Sequence, residues 1–223
     1  MRSRTAVSVS HAVAVSVVGA LVLASCSSGD DDPADGSASA SPSPSSTVSV
    51  PSAVELTEPG SGLSFQESAS VIFEPRSGRG SVLELTVKKA TKGSIKDFSS
   101  FILDDYTKSA TPYYVDVTVK NVGDGDVGGV PVPLWGVDAE DTLLPAASFT
   151  TSFRKCESSE LPKKFAAGDS MSTCLVFLAP EKGTMEAVSF RPDQEFNPIR
   201  WTGDIATPKA EPKKPKKKKS EQG

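Results

Sequence analysis

Residues 113–120 read YYVDVTVK, and this stretch decides the fold class. Successive side chains of a β-strand point to opposite faces, so alternation of apolar and polar residues marks a strand with one buried face. The pattern predicts a strand that buries Tyr113, Val115, Val117 and Val119. The next six residues, 121–126, read NVGDGD and are typical of a turn that ends the strand.

The same alternation recurs along the chain. Residues 82–88 read VLELTVK and place Leu83, Leu85 and Val87 on one face. We predict further strands at 69–73, 134–138, 147–153, 170–178, 185–190 and 199–201. Helical spacing is confined to 95–105, where we interpret Phe98, Phe101 and Ile102 as packing residues. Short strands separated by turns predict an all-β, antiparallel immunoglobulin-like β-sandwich, with a closed barrel as the main alternative.

Three short motifs carry a family resemblance. They are LTV at 85–87, YVDVTVKN at 114–121, and FAAGDS at 165–170 ahead of CLVF at 174–177. Over roughly residues 63–201 the chain resembles the telokin-like immunoglobulin-fold domain of extracellular lipoproteins from Gram-positive, actinobacterial species. The resemblance implies a sandwich of adhesive or unknown function, and it implies no catalytic residue.

The first residues are typical of a lipoprotein signal peptide. Arg2 and Arg4 precede a largely apolar, uncharged run over 5–25, which ends in LASC at 23–26. This tetrapeptide resembles the bacterial lipobox, whose cysteine receives a diacylglycerol. We therefore expect cleavage after residue 25, lipidation of Cys26, and a domain anchored to the extracellular face of the cell membrane. An uncleaved transmembrane anchor is the alternative, and it places the domain on the same side.

Composition divides the rest of the chain into three parts. Residues 26–52 are rich in Ser, Pro and Asp and contain no aromatic residue, so we expect a disordered linker. Residues 53–207 hold every aromatic side chain and form the predicted domain, with 15 Lys and Arg against 22 Asp and Glu. Residues 208–223 carry 7 Lys against 2 Glu, which predicts a disordered basic tail.

Two cysteines remain once Cys26 is lipidated. Outside the cell an even pair of cysteines is typically oxidised, so we predict a disulfide between Cys156 and Cys174, with two free thiols as the alternative. The closed loop would stabilise the domain by roughly 3 kcal/mol in the chain-entropy model.

The sequence offers little support for catalysis. Its only histidine, His11, lies in the predicted signal peptide, so the mature chain lacks the base of Ser-His-Asp and Cys-His mechanisms and the usual ligand of zinc sites. The pairs Asp104–Asp105 and Glu140–Asp141 are the candidates for a hydrolase using two carboxylates, although residues 137–144 read as a hairpin turn. We predict no enzyme activity and no cofactor.

Three features admit a binding interpretation beside a structural one. Asp124 and Asp126 in the DGD turn are spaced as in part of a calcium loop, but Asp and Gly are also ordinary turn residues, and we expect no metal there. Trp135 and Trp201 are the two tryptophans, which either line a carbohydrate or peptide groove or, as we prefer, pack within the sandwich.

The basic tail is the third. Its lysines suit anionic lipid headgroups or wall polymers, and a solubilising tail or one that folds back on the acidic domain is the alternative. These lysines are Lys213, Lys214, Lys216, Lys217, Lys218 and Lys219. We therefore expect a surface-displayed binding or adhesive module. Its partner would be an envelope protein or anionic wall polymer, with no role for nucleic acid. The alternative is a solute-binding or cell-wall enzyme accessory lipoprotein.

Overall fold

The computed structural model describes residues 48–208. The signal peptide, Cys26, the predicted linker up to residue 47 and the tail from residue 209 lie outside these residues. In chain order the strands are β1 (Gly62–Ser64), β2 (Ser68–Arg76), β3 (Arg79–Lys92), β4 (Thr111–Asn121), β5 (Trp135–Asp138), β6 (Leu143–Leu144), β7 (Ser170–Ala179), β8 (Met185–Phe190), β9 (Ile199–Thr202) and β10 (Ile205–Ala206). A five-residue helix, α1 (Asp105–Ser109), and 3₁₀ turns at Ile95–Phe98 and Pro180–Lys182 lie between strands.

The strands form two sheets that pack face to face, so the predicted β-sandwich is confirmed. The first sheet has the order β2-β3-β4-β7, with β10 beside the far end of β3, and the second has the order β1-β9-β8-β5-β6. The chain changes sheet five times, between β1 and β2, β4 and β5, β6 and β7, β7 and β8, and β9 and β10. Such crossings are typical of immunoglobulin-like sandwiches.

Two pairings depart from the predicted antiparallel arrangement. β1 lies parallel to β9, and β10 lies parallel to β3. In both pairs a short strand near one terminus of the domain lies beside a strand far away in sequence. Because no hairpin joins the partners, nothing in the chain connectivity requires them to run in opposite directions.

The core is built by the alternating patterns of β3 and β4. Tyr113, Val115, Val117 and Val119 are all at most 2% exposed, and Leu83, Leu85 and Val87 are fully buried, as predicted. Leu85 lies opposite Val119, and Val87 opposite Val117, so the apolar faces of the two strands form one surface. Side chains of the second sheet, including Val188, Phe190 and Trp201, complete the same cluster.

Five other predicted strands are present as β2, β5, β7, β8 and β9. The strand predicted at 147–153 is wrong, because this segment is irregular and only Ala146, just before it, forms a single bridge to Phe177. Phe149 and Phe153 both turn toward Phe98, with ring centroids 6.1 and 4.6 Å away. The segment therefore does not alternate between two faces; both rings join one aromatic cluster outside the main core.

The packing role predicted for 95–105 holds only in part. Phe98 is buried and Phe101 packs in the same aromatic cluster, but Ile102 is fully exposed. The 3₁₀ turn ends at Phe98 and α1 begins at Asp105, so Phe98, Phe101 and Ile102 do not lie on one continuous helix.

The first described residue and the last strand contact β3 near its two opposite ends. The side chain of Val48 lies directly over Gly80, near the start of β3, whereas Ile205 and Ala206 pair with Ala90 and Thr91 near its end. Eleven residues of strand span about 35 Å. The linker side and the tail side of the domain are therefore separated by nearly the whole length of β3.

Candidate functional site

A large groove opens on the surface of the sandwich. Its volume is about 740 Å³, within the range of roughly 300–1,000 Å³ that is usual for ligand pockets. It collects residues from the end of β2, the β4–β5 loop, the start of β5, the segment after β6, β7, and the residues that follow β8. The residues that line it include Phe73, Pro75, Arg76, Pro131, Pro133, Trp135, Pro145, Ser148, Phe149, Glu160, Arg191 and Pro192.

The structure separates the two tryptophans. Trp201 is fully buried in the core, and its Nε1 donates to the carbonyl oxygen of Glu67 over 3.0 Å, which confirms the packing interpretation for this residue. Trp135 is only half-buried and lines the groove with Phe73 and Phe149. An indole in this setting presents a flat apolar surface to a ligand. The packing interpretation is therefore incomplete for Trp135.

The groove also carries charge. Arg76 and Glu160 are exposed and Arg191 is half-buried. Within residues 48–208, neither arginine has a carboxylate oxygen within 4 Å, and Glu160 forms no ion pair. The Arg191 side chain is nevertheless held in place, because its Nη2 donates to the carbonyl oxygen of Gln194 over 2.7 Å. A positioned guanidinium without a counter-ion suits an anionic group of a ligand.

One wall of the groove is fixed by a disulfide and stacked rings. Cys156 and Cys174 are bonded, with Cα atoms 5.2 Å apart, so the predicted disulfide is present. It ties the segment between β6 and β7 to the middle of β7. The rings of Phe149 and Phe153 stack at 5.2 Å within the same segment. This wall is therefore held by covalent and apolar contacts although it contains no strand.

A second wall of the groove depends on a buried asparagine. Asn121 Nδ2 donates to the carbonyl oxygens of Gly125 and Phe165 over 2.7 and 2.8 Å, and its Oδ1 accepts from Ser81 Oγ over 2.6 Å. These bonds fold the predicted 121–126 turn back onto the sandwich. The turn leads into residues 130–135, which line the groove.

Asp126 continues this network and has a structural role. Its Oδ1 accepts from the backbone N–H groups of Phe165 and Gly128, each over 2.9 Å. The hydrogen bond from Phe165, followed by that from Gly128, lowers the pKa of Asp126. No cluster of three or more potential metal ligands occurs in the described part of the chain.

The other candidate carboxylates also have structural partners. Asp104 caps α1, with its Oδ1 accepting from the Thr107 N–H over 2.7 Å, and this bond lowers its pKa. Asp105 pairs with Lys108 over 2.8 Å. Both acids are exposed and lie outside the groove.

The second acidic pair lies in the predicted hairpin turn, which is confirmed between β5 and β6. Glu140 is exposed, and Asp141 Oδ1 pairs with Arg200 Nη2 over 2.6 Å. Asp141 also lines a smaller, polar cleft of about 320 Å³, which includes Arg191, Arg200 and Asn197. Arg191 therefore belongs to both the groove and the cleft.

The remaining predicted sites cannot be placed on this framework. Cys26 and the six tail lysines lie outside residues 48–208. Over the same range, no helix is long and apolar enough to cross a membrane.

No sequence pattern identified several of the groove residues. Arg76, Arg191 and Phe149 lie more than 40 residues apart and carry no recognisable motif. One signal was present: Pro75-Arg76 and Arg191-Pro192 both fall at the ends of predicted strands, and proline there marks a chain leaving its sheet. Such exits are common positions for binding residues.

Comparison with known proteins finds no match for the chain. No protein-family model, no curated protein and no solved structure matches it. The resemblance to telokin-like lipoprotein domains stays a prediction.

Proposed function

We propose that this chain is a non-enzymatic binding module, displayed on the outer face of a bacterial membrane by a diacylglycerol on Cys26, and that the groove is its ligand site. The observation that carries the proposal is the groove itself, which combines apolar rings with charged side chains that have no ion-pair partner among residues 48–208. The LASC motif at 23–26 supports the anchor. Two acyl chains are sufficient for stable attachment.

The construction of the groove supports binding. Both walls are held by interactions outside the groove, one by the Cys156–Cys174 disulfide and one by Asn121. A preformed site loses less conformational entropy when a ligand binds, so more of the interaction energy contributes to affinity.

The positions at which the linker and the tail meet the domain support display between membrane and wall. The linker side and the tail side of the domain lie at opposite ends of β3. The tail with its six lysines therefore leaves the domain at the end of β3 away from the point where the linker enters. In that arrangement their accessible anions belong to wall polymers or to another envelope protein, more than to lipid headgroups of the same membrane.

A groove-blocking variant tests the proposal. Ser148 is exposed at the groove and has no side-chain hydrogen bond within the described residues, so Ser148→Trp should fill the groove without disturbing the core. The full chain, purified from its own membrane in detergent, is immobilised and incubated with separated fractions of wall polymer and envelope protein. We expect one fraction to be retained by the wild type and lost with Ser148→Trp.

Ser100→Trp is the matched control, because Ser100 is an exposed serine outside the groove. It should retain the fraction as the wild type does. Equal retention by wild type and Ser148→Trp would remove the groove from the proposal. Retention of no fraction by the wild type would count against the binding function as a whole.

A second candidate, capture of a small solute, is favoured by the groove volume of about 740 Å³ and its apolar rings. Native mass spectrometry of the purified full chain distinguishes the two functions. A copurified small molecule that disappears in Ser148→Trp would favour solute capture over contact with envelope polymers.

A further inference from the structure

A row of side chains crosses the outer face of the second sheet. Trp135 of β5 lies opposite Ser189 of β8, and Ser189 lies opposite Arg200 of β9. Residues directly opposite each other share a face, and neighbouring strands are about 4.8 Å apart. The adjacent Gly136 faces the core, since a Cβ there would meet Phe177 and Met185. Trp135, Ser189 and Arg200 therefore point away from the core.

Arg191 extends this row from the residue just after β8. It lines the groove on one side and the polar cleft on the other, so it lies where the two cavities meet. Arg200, its neighbour in the cleft, is neutralised by Asp141 over 2.6 Å. Arg191 has only backbone partners, the carbonyl oxygens of Asp193 and Gln194. Within residues 48–208 the site therefore offers one fixed guanidinium without a counter-ion.

Ser189 adds an unsatisfied polar group at the centre of the row. It is fully buried, and it is the one buried side chain of the described residues whose polar atom has no hydrogen-bond partner. Buried hydroxyls are usually bonded, so one without a partner calls for an explanation at its location. Ser189 lines neither cavity and lies in the row between Trp135 of the groove and Arg200 of the cleft.

Resting on the function proposed above, we propose that this face binds an anionic glycan, with a sugar ring on Trp135 and the acidic group of the sugar on Arg191. A half-buried indole offers the flat apolar surface on which a sugar ring stacks. A guanidinium binds carboxylate or phosphate oxygens in a bidentate manner. The unpaired charge of Arg191 complements an acidic sugar and gives a neutral sugar no comparable contact.

An extended peptide fits this face less well. Peptides commonly bind by adding a strand to an open sheet edge, where main-chain hydrogen bonds supply affinity. The edge of β7 beside the groove is already used, since the Ala147 N–H donates to the carbonyl oxygen of Val176 over 2.8 Å. Pro131, Pro133 and Pro145 in the groove have no N–H to offer. At these positions the groove presents rings and prolines in place of a free main chain.

The test measures binding of defined probes to the full chain in detergent by calorimetry. The probes are a tetrasaccharide of uronic acids, the same tetrasaccharide with its carboxylates reduced to alcohols, a glycerol phosphate polymer without sugar rings, and an acidic peptide. We expect the uronic acid tetrasaccharide to bind at least about tenfold more tightly than its neutral form. The ring-free polymer and the peptide should bind more weakly than the acidic tetrasaccharide.

Two variants assign the contacts. Arg191→Gln should abolish the preference for the acidic over the neutral tetrasaccharide. Trp135→Ala should weaken binding of both, and Trp135→Phe, which keeps a flat ring, should restore part of it. Arg154→Gln changes an exposed arginine outside both cavities and should leave every affinity unchanged. Thermal unfolding of each variant verifies that the domain is folded.

Equal binding of the acidic and neutral forms, with no effect of Arg191→Gln, would overturn the assignment of Arg191. Binding of the acidic peptide in preference to every glycan would overturn the glycan inference and leave the proposed binding function intact. Absence of binding to all four probes would overturn the glycan inference alone if envelope fractions are still retained by the wild type. If those fractions are not retained either, the proposed function fails as well.

Discussion

Asn121, at the end of β4, is hydrogen-bonded to Phe165, which lies 44 positions further along the chain. Its side-chain Nδ2 donates to the carbonyl oxygen of Phe165 over 2.8 Å. Both residues are buried, and the same amide group also holds Gly125 and Ser81. One side chain therefore joins the β2–β3 region, the β4–β5 loop and the approach to β7. The groove wall at 130–135 depends on this junction.

Asn121→Ala should strongly destabilise the domain. The substitution removes the hydrogen bonds to the carbonyl oxygens of Gly125 and Phe165 and leaves the buried Ser81 hydroxyl without its acceptor, and an unsatisfied buried group costs about 1–3 kcal/mol. We expect the free energy of unfolding to fall by about 3–5 kcal/mol, measured by urea denaturation. Asn197→Ala, at an exposed asparagine, should change it by less than about 0.5 kcal/mol. Similar losses for the two variants would contradict the role of Asn121.

Removing the disulfide should loosen the groove as well as the fold. Changing both Cys156 and Cys174 to Ala releases a loop closed across 18 positions, and the expected loss of stability is roughly 3 kcal/mol. Hydrogen exchange should become faster at 147–160, the segment that the disulfide ties to β7. The amides of β3 and β4 should keep their relative protection, because their core contacts do not involve the disulfide. Uniform loss of protection across the domain would argue against this local effect.

Tyr114 should make the domain sensitive to alkaline pH. Burial, and then its hydrogen bond of 2.9 Å to Asp97, raise the pKa of Tyr114 above its ordinary value of 10.0. The folded state therefore keeps the phenol proton at pH values where the unfolded chain loses it. This contribution to stability is fully present below about pH 10 and decreases as pH rises toward the raised pKa.

The measurement is the free energy of unfolding between pH 9 and pH 11. Stability of the wild type should decrease more steeply above about pH 10 than that of Tyr114→Phe, which has no phenol proton to lose. Tyr106→Phe, at an exposed tyrosine, is the matched control and should follow the wild type. Parallel curves for the wild type and Tyr114→Phe would show that this phenol does not contribute.

The proposed lipid anchor predicts a specific modification. Mass spectrometry of the protein from its own membrane should show a diacylglyceryl adduct on the peptide that begins with Cys26. Cys26→Ala should release the chain from the membrane or stall its processing, and thermal unfolding of the domain should not change. A mature form that begins before residue 26 would contradict the predicted cleavage.

The basic tail predicts binding that depends on salt. The full chain and a chain ending at Thr207 are compared for binding to anionic vesicles and to wall preparations at low and high salt. We expect the wall preparation to bind the full chain at low salt, with loss on truncation or at high salt, because charge attraction is screened within about 8 Å at physiological ionic strength. Equal binding by both chains at low salt would contradict an electrostatic role for the tail.

The alternating pattern at 82–88 and 113–120 was sufficient to predict the sandwich and its core. Period-2 alternation specifies which side of a strand is buried without reference to distant residues, so Leu85 and Val117 could be assigned from sequence alone. The disulfide was predicted because Cys156 and Cys174 are an even pair in a domain that we expect to lie outside the cell. Short strands such as β1, β6 and β10 have two or three residues and cannot show alternation. β1 and β10 each pair with a strand far away in sequence, whereas β6 is the second strand of the hairpin with β5.

The groove and its charges were decided by tertiary structure. Trp135 and Trp201 have the same chemistry and both lie on strands, yet register and sheet position bury one and leave the other at a cavity. Arg191 is separated from Trp135 by 56 positions, and no local pattern states that both will line one groove. The prediction for segment 147–153 failed for the same reason. The rings of Phe149 and Phe153 pack against Phe98, and the two-residue period of a strand does not describe their positions. Local periodicity encodes the face of a strand, whereas a binding surface depends on which strands and loops meet across the fold.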